Sequence, residues 1–270
     1  MTNPVYLRSE IPFLRNKRPL VMAHRGRSAF VPESSFQSFK EAYELKVDVL
    51  ETDIRLTKDR IPVIFHDATL DRTTNGKGPI INHTFEQLQE FDLGYWHKDP
   101  VTNEYPFRNK GFRIISLLDM FEKFPDVRIN MDIKDRVSFA PEVLLNTILE
   151  ADAEKRSLVG SFHHKQLTRF RYLNGNTNIP TSASPVEALS FLLHLLVFTK
   201  RNFVALQVPP NLGFLKIVTH KNIIRAHRKD LAVHIWTINE RDKMIKLLDW
   251  GIDGIFTDDP DLLLDIITTN

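Results

Sequence analysis

Short apolar runs alternate with longer amphipathic segments along most of this chain. Eight of the apolar runs are typical of β-strands and cover residues 19–24, 47–54, 127–134, 157–162, 179–184, 203–208, 231–238 and 254–258. Helical spacing of apolar residues between them predicts helices, for example over 33–45, 116–124, 141–151 and 240–250. Strands that alternate with helices indicate a parallel β/α architecture. Eight such units in 270 residues predict an α/β fold, a single (β/α)8 TIM-type barrel, rather than an open doubly wound sheet.

One apolar run does not fit the alternation. The run 61–67, "IPVIFHD", follows the run 47–54 after only a short polar stretch. A parallel crossover needs a dozen or more residues. We therefore expect these two runs to pair as an antiparallel hairpin.

The register of this hairpin decides which side chains meet. A turn centred near Asp59 places Asp53 opposite Phe65 and brings His66 beside Glu51 and Asp53. Residues two apart share one face of a strand, so the two carboxylates project together. In a barrel we expect this cluster at the C-terminal mouth, where the active sites of that fold lie.

Other polar residues also follow the predicted strands. His24 and Arg25 end the first run, Asp132 and Lys134 end the run 127–134, and Trp236 lies near the end of a late one. Each has an ordinary alternative, such as a solvated face, a half-buried histidine, an ion pair or a core tryptophan. Their shared position at strand ends favours a common site.

Composition narrows the classes of function. A formal net charge of +2 does not favour a nucleic-acid partner. The chain has no cysteine, which excludes disulfides and thiol chemistry and fits a reducing compartment. The N-terminus lacks a signal-peptide core, and the longest apolar stretch, 188–198, is too short to span a bilayer. These features predict a cytoplasmic protein.

The side chains expected at the mouth have a readable chemistry. Three carboxylates favour one divalent cation of the hard type, Mg²⁺ or Ca²⁺, over zinc. Two histidines can act as a general acid and a general base near neutral pH. Arginine and lysine suit a phosphate group. Together these groups favour cleavage of a phosphodiester.

The same residues carry a family resemblance. In order and spacing, "AHRG", "PES", "ETDIRLTKDRIPVIFHDATLDRTTNGKG", "MDIK", "SF", "WTIN" and "GIDGIFTDDP" resemble the glycerophosphodiester phosphodiesterase family. The resemblance runs from about residue 20 to the C-terminus. It implies a TIM-type barrel with a small insertion after the HD strand, and metal-dependent hydrolysis of glycerophosphodiesters to glycerol 3-phosphate and an alcohol. We interpret residues 1–18 as an N-terminal extension and 19–270 as the barrel domain.

The resemblance also assigns roles by motif. The histidines of HRG and HD correspond to the acid/base pair, His24 and His66. The metal carboxylates correspond to Glu51, Asp53 and Asp132. The substrate-binding positions correspond to Arg25, Lys134 and Trp236. The mechanism that follows has two steps: the glycerol 2-hydroxyl attacks phosphorus to give a cyclic phosphate, which water then opens.

Two positions depart from the family pattern. Asp132 stands where the family usually has glutamate, which is longer by one methylene group. We expect Asp132 to bind the cation directly or through water. Glu33 belongs to "PES" where the family often has PEN. It either orients the HRG loop or begins the first helix, and an acid at a helix start is favourable.

Substrate choice depends on the segment 185–200, "PVEALSFLLHLLVFTK". Its apolar character fits a core helix packed on the sheet. The alternative is an apolar rim, within 188–198, that admits an acyl chain or touches a membrane surface. That alternative favours a lysophospholipid substrate and lysophospholipase D activity.

Two other classes of protein fit the sequence less well. Sphingomyelinase D toxins share such a barrel, but they are held by disulfides, which this chain cannot form. A slow barrel that only binds a phosphorylated ligand needs no pair of histidines.

Overall fold

A computed structural model describes residues 10–99, 101–175, 177–193 and 202–269. Within these residues the strands are β1 Leu20–His24, β2 Val49–Leu56, β3 Pro62–Ile64, β4 Arg128–Ile133, β5 Ser157–Gly160, β6 Ala205–Val208, β7 Asn211–Leu212, β8 Leu215–Lys216, β9 Ala232–Ile235 and β10 Gly254–Thr257. The α-helices are α1 Phe36–Glu44, α2 Phe85–Leu88, α3 Leu117–Lys123, α4 Ala140–Glu150, α5 His164–Asn174, α6 Pro185–Leu192, α7 His220–His227, α8 Arg241–Asp249 and α9 Pro260–Thr269.

Parallel strands form a ring in the order β5–β4–β2–β1–β10–β9–β6. Residues 181 and 182 join its two ends, since Thr181 pairs in parallel with Val159 of β5 and Ser182 with Ala205 of β6. The predicted run 179–184 therefore takes the place of the eighth strand of the barrel, although it forms only two isolated β-bridges. The predicted (β/α)8 barrel is confirmed.

The strands alternate between two apolar layers, as the period of a β-strand requires. Val21 and Ala23 of β1 face outward and pack with helix residues in the larger core. Leu20 and Met22 point inward, into a second core that fills the N-terminal end of the barrel. The same inward face ends in His24. The interior is thus apolar at one end and polar at the other.

The described part of the predicted N-terminal extension contacts this inner core. Ile11 and Phe13 are buried against inward residues of the barrel strands. Arg128 donates hydrogen bonds to the carbonyl oxygens of Phe13 and Arg15, at 2.9 and 3.0 Å. These contacts close the N-terminal end of the barrel. The division between residues 18 and 19 stays a prediction, and residues 1–9 lie outside the described ranges.

Helix starts agree with their sequence signals. The hydroxyl of Ser35 accepts a hydrogen bond from the Ser38 amide and caps α1. Ser116 and Ser184 each form a capping box, at the starts of α3 and α6. Because these caps fix where the helices begin, they also fix the loops at the mouth of the barrel.

The predicted hairpin is confirmed together with its register. Strand β3 pairs antiparallel with β2, with Ile54 opposite Ile64. The amide of Phe65 donates to the carbonyl of Asp53 at 3.0 Å. The chain between β3 and α3 then forms the insertion implied by the family resemblance. A third apolar core, which includes Leu70 and Leu88, fills it.

Candidate active site

Strand register brings the predicted polar residues together at the C-terminal mouth. His24 of β1 lies opposite Glu51 of β2. Asp53 of β2 lies opposite Asp132 of β4. Lys134 follows β4 on the same face as Asp132. All eight predicted site residues line one cavity: His24, Arg25, Glu51, Asp53, His66, Asp132, Lys134 and Trp236.

Asp258, at the end of β10, holds the imidazole of His24. Nδ1 of His24 lies 2.6 Å from Oδ1 of Asp258, while Nε2 lies 3.9 Å from Glu51 Oε2. Burial alone lowers the pKa of His24, but the Asp258 hydrogen bond and the Glu51 charge outweigh it and raise the pKa above its usual value. Ser28 and Asn239 donate to Asp258, at 2.9 and 2.6 Å, and keep it ionised and oriented.

The HRG turn needs its glycine. Arg25 and Gly26 both have positive φ, at 56° and 88°. A Cβ on Gly26 would lie 2.6 Å from the Ser38 carbonyl carbon of α1, so a larger residue cannot be accommodated without moving that helix. The turn lets the Arg25 amide donate to Glu51 Oε2 at 3.2 Å and brings its guanidinium to Asp53, with Nε 2.9 Å from Oδ2.

Lys134 lies between two carboxylates on the floor of the cavity. Its Nζ is 2.9 Å from Asp53 Oδ1 and 2.6 Å from Asp132 Oδ2. Burial raises the pKa of Asp53, but Lys134 and Arg25 more than compensate, so this pKa is lowered. For Asp132 burial dominates over Lys134 and the pKa is raised. Asp53 is therefore the more readily ionised member of the pair.

Glu51 is the least compensated carboxylate of the floor. Burial, and then the negative charge of Asp53, raise the pKa of Glu51 to about 7. The other uncompensated group is Oδ1 of Asp132, which is buried and has no hydrogen-bond partner. A buried carboxyl whose pKa is raised to about 7 and a buried carboxylate oxygen without a donor are features expected of a site that gains a cation.

The donor set fits a hard divalent cation by its chemistry. Glu51, Asp53 and Asp132 offer only carboxylate oxygens, the ligands that Mg²⁺ and Ca²⁺ prefer. The described ranges contain no group of three histidine, aspartate or glutamate side chains arranged to hold a metal ion as they stand. Lys134 takes up one oxygen of each aspartate instead. The three predicted carboxylates thus line the same cavity. That all three bind one ion stays a prediction.

His66 is held in the same way as His24. Its Nδ1 lies 2.5 Å from Oδ1 of the adjacent Asp67. Arg72 donates to Asp67 from Nε at 2.6 Å and to Glu33 at 2.7 and 2.8 Å. Burial raises the pKa of Asp67, but Arg72 and His66 reverse this and lower it to about 2. Each histidine therefore has one nitrogen bonded to an ionised carboxylate and the other left for a substrate.

Glu33 connects the two halves of the site. Besides Arg72, it accepts a hydrogen bond from Arg25 at 2.9 Å. It lies outside α1, which begins at Phe36 with Ser35 as its cap. Of the two interpretations of Glu33, the helix start is therefore wrong, and its contacts agree with the other, in which it orients the HRG loop.

The cavity extends away from the charged floor along an apolar wall. Its volume is about 650 Å³. Trp236 and Phe162 stand between the two parts, with ring centroids 5.5 Å apart, and the Phe162 ring lies 5.1 Å from Nζ of Lys134. The apolar side chains beyond them are Pro185, Val186, Ala188, Leu189, Leu192, Pro209, Leu212 and Ile217. A polar head and an apolar tail could therefore occupy one cavity.

The apolar segment 188–198 is only partly described. Phe191 is buried in the core, as a core helix requires, but Leu189 and Leu193 are about half exposed. Residues 194–198 lie outside the described ranges. No helix among the described residues is both long enough and apolar enough to cross a membrane.

Several functional residues lie outside the predicted set. Asp258 was within a predicted strand, and its position becomes meaningful only when β10 pairs with β1 to close the ring. Asp67 is adjacent to His66 in sequence, which is a usable signal. Phe162 belongs to the quoted "SF" motif, and only the fold places it beside Trp236. Arg72 reaches the site from the insertion.

Comparison with known proteins gives consistent results. The sequence model of the glycerophosphoryl diester phosphodiesterase family matches residues 24–262. A glycerophosphodiester phosphodiesterase of Caldanaerobacter subterraneus subsp. tengcongensis is 31% identical over 258 residues, covering 93% of this chain and 98% of the relative. A phosphodiesterase of Oleispira antarctica, solved with the product sn-glycerol-3-phosphate, has a TM-score of 0.74 at 25% identity, covering 93% of this chain and 97% of its own. A lysophospholipase D of Mus musculus is 26% identical over 288 residues, 91% of this chain and 85% of the relative.

Proposed function

The chain belongs to the glycerophosphoryl diester phosphodiesterase family, and from this premise we propose that its site releases sn-glycerol 3-phosphate and an alcohol by histidine acid/base catalysis through a cyclic phosphate. The chain is a glycerophosphodiester phosphodiesterase, a phosphoric diester hydrolase. Product bound in the Oleispira antarctica structure supports a small glycerophosphodiester as substrate. Family membership favours an enzyme over a barrel that only binds a phosphorylated ligand.

The observation that carries the proposal is the pair of carboxylate-held histidines in one cavity. Nδ1 of His24 is bonded to Asp258 and Nδ1 of His66 to Asp67. The carboxylates are acceptors, so each neutral imidazole carries its proton on Nδ1 and keeps Nε2 free to accept one. Each imidazole can therefore take or give a proton at Nε2 during the reaction.

In the first step one histidine accepts the proton of the glycerol 2-hydroxyl at Nε2. The hydroxyl oxygen forms a bond to phosphorus, the bond between phosphorus and the alcohol oxygen breaks, and the other histidine, which starts protonated on both nitrogens, gives its Nε2 proton to that oxygen. In the second step the histidine that gave its proton takes one from water, whose oxygen bonds to phosphorus. The bond between phosphorus and the glycerol 2-oxygen breaks, and the first histidine returns its proton to that oxygen. Arg25 and Lys134 line the same cavity, where each is paired with Asp53, and their remaining N–H groups would donate to the phosphoryl oxygens.

A divalent cation would be held by Glu51, Asp53 and Asp132. When bound, it supplies positive charge that lowers the pKa of a bound hydroxyl and neutralises phosphoryl oxygens. Two features of this chain support the assignment: the pKa of Glu51 is raised to about 7, and Oδ1 of Asp132 is buried without a partner. Measuring the affinity of the protein for Mg²⁺ and for Ca²⁺ would decide between the two ions.

A substrate that lacks the attacking hydroxyl tests the cyclic route. We expect turnover of glycerophosphocholine, with release of glycerol 3-phosphate, and no turnover of the matched 2-deoxy diester. Phosphorus NMR of a quenched reaction should show the cyclic phosphate. Equal turnover of the two diesters would mean that water attacks directly. Binding of the 2-deoxy diester as a competitive inhibitor serves as the control that it still enters the site.

Lysophospholipids are the second candidate substrate. The apolar wall beyond Phe162 and Trp236 favours them, since glycerophosphocholine has no apolar tail to cover it. The relative from Mus musculus is named a lysophospholipase D. The same two steps on a 1-acyl lysophospholipid would release lysophosphatidic acid. Turnover of lysophosphatidylcholine relative to glycerophosphocholine, both below the micellar concentration, separates the two candidates.

A further inference from the structure

Large apolar side chains are exposed around the outer end of the cavity. Three come from α6 and its C-terminus, and two from the hairpin formed by β7 and β8. We call these five residues the apolar rim: Val186, Leu189, Leu193, Leu212 and Phe214. Leu212 is 66% exposed and Phe214 fully exposed. A cluster of this kind is unusual on a surface that faces only water.

The apolar rim continues into the cavity. Val186, Leu189 and Leu212 each line the cavity while remaining about half exposed or more on the outside. Phe214 belongs to the rim but not to the cavity lining. It lies in the hairpin turn next to Gly213, which has a φ of 56°. The rim therefore offers an unbroken apolar path from the protein surface towards the phosphodiester site.

The sequence around the rim is strongly basic. From residue 188 to residue 229 there are seven lysines and arginines and no aspartate or glutamate, in a chain whose total formal charge is only +2. Of the described members of this stretch, Lys216 follows the hairpin turn and Lys221 lies in the first turn of α7, and both are exposed. Exposed apolar side chains flanked by cations complement an anionic lipid surface.

We propose that the apolar rim docks on the surface of anionic phospholipid bilayers, with Phe214 inserted among the lipids and the basic residues beside it facing the headgroups. This inference rests on the proposed function, because it supplies the route by which a lysophospholipid leaves its membrane and enters the cavity. Docking places the apolar path against the membrane, so the acyl chain need not cross water.

Sedimentation with vesicles tests the docking surface. The vesicles are equimolar phosphatidylglycerol and phosphatidylcholine, and the full chain is used. We expect Phe214→Ser to weaken vesicle binding by about tenfold, since it removes most of an inserted aromatic side chain. Val101→Ser is the matched control, because Val101 is 87% exposed in the insertion and outside the rim. It should bind as the unchanged chain does.

Three results would overturn the docking proposal. The first is that Phe214→Ser binds the mixed vesicles as well as the unchanged chain does. The second is that the unchanged chain binds vesicles of phosphatidylcholine alone as well as it binds the mixed vesicles. The third is that analytical ultracentrifugation shows a dimer of the unchanged chain, which Phe214→Ser dissociates. The last would make the rim a contact between two copies. Hydrolysis of water-soluble glycerophosphocholine is measured in parallel and should be the same in both proteins. Its absence in the unchanged chain would contradict the proposed function, while vesicle binding reports on the rim alone.

Discussion

The two parts of the cavity are built by different rules. On the charged floor, most functional groups are held by a partner of opposite charge within 3 Å, as in the contacts of Lys134 with Asp53 and Asp132, and Glu51 is the exception. The apolar wall has no such contacts and consists of side chains from α6 and the loop after β6, such as Leu192 and Ile217. The floor lies on strand ends, and the wall lies on a helix and a hairpin.

This difference separates reaction from substrate choice. A group that moves protons must be oriented to a few tenths of an ångström, which requires hydrogen bonds from rigid strands. Apolar contact is not directional, so the wall can accept tails of several lengths. We therefore expect substitutions on the floor to change rate by orders of magnitude and substitutions on the wall to change substrate preference by small factors.

The largest effect should come from the histidines. His24→Ala or His66→Ala removes the group that moves a proton, and each should lower kcat for glycerophosphocholine by about a thousandfold, within the range of general acid/base catalysis. Turnover of folded, purified variants checks this. His220→Ala, which changes an exposed histidine, is the control. A variant that keeps more than a tenth of the activity would contradict the assigned role.

Asp258→Asn should have the next largest effect. It should lower kcat by about ten- to a hundredfold, because the amide no longer favours the protonated imidazole of His24. Since the Asp258 hydrogen bond helps to raise the pKa of His24, the pH dependence assigned to His24 should move to lower pH. The pH profile of kcat/KM measures this shift. Asp265→Asn, which breaks a surface pair with Arg241, is the control. An unshifted profile would leave Asp258 with a structural role only.

Glu51→Gln should stabilise the metal-free protein. The pKa of Glu51 is about 7 in the folded chain, above its value of 4.5 when exposed. The folded state therefore binds more protons between these values, and the free energy of unfolding falls as pH rises from 4.5 to 7. Glutamine removes that cost, which is about 1–3 kcal/mol above pH 7. Urea unfolding of the metal-free protein at pH 5 and pH 8 measures it.

The gain from Glu51→Gln should be about four times larger at pH 8 than at pH 5, because most of the carboxyl group's proton linkage lies between these pH values. Glu44→Gln, on the exposed face of α1, is the matched control and should show no such difference. A gain of equal size at both pH values would mean that glutamine improves packing rather than removing a buried charge.

The sequence predicted the charged floor of the cavity better than the apolar wall. The strands that carry His24 and Glu51, and the hairpin that carries His66, follow from local patterns of two-residue alternation and from a connection too short for a crossover. Asp258 could not be assigned, because its role depends on pairing between the first and last strands of the ring. The role of Glu33 stayed open between two interpretations, because its two arginine partners come from separate loops.

The apolar wall was harder to predict for a physical reason. The run 185–193 is apolar on more than one face, and a pattern of that kind fits a buried helix and an exposed rim equally well. The structure shows both, with Phe191 in the core and Leu189 in the cavity wall. Only the position of α6 beside the mouth of the barrel separates these roles.

The smallest effect, and the sharpest test of the comparison, concerns the wall. Leu192 lines the cavity and is not part of the apolar rim, so Leu192→Ser changes the wall without changing the docking surface. It should lower kcat/KM for short-chain lysophosphatidylcholine, used as a monomer, by about three- to tenfold, which corresponds to about 1 kcal/mol of lost apolar contact. Turnover of glycerophosphocholine should not change, because that substrate has no tail to contact the wall. Ile224→Ser, on the partly exposed face of α7, is the control. Equal losses of kcat/KM for both substrates would show that the wall maintains the geometry of the floor and does not bind an acyl tail. The proposed separation of the cavity into a part for reaction and a part for substrate choice would then be wrong.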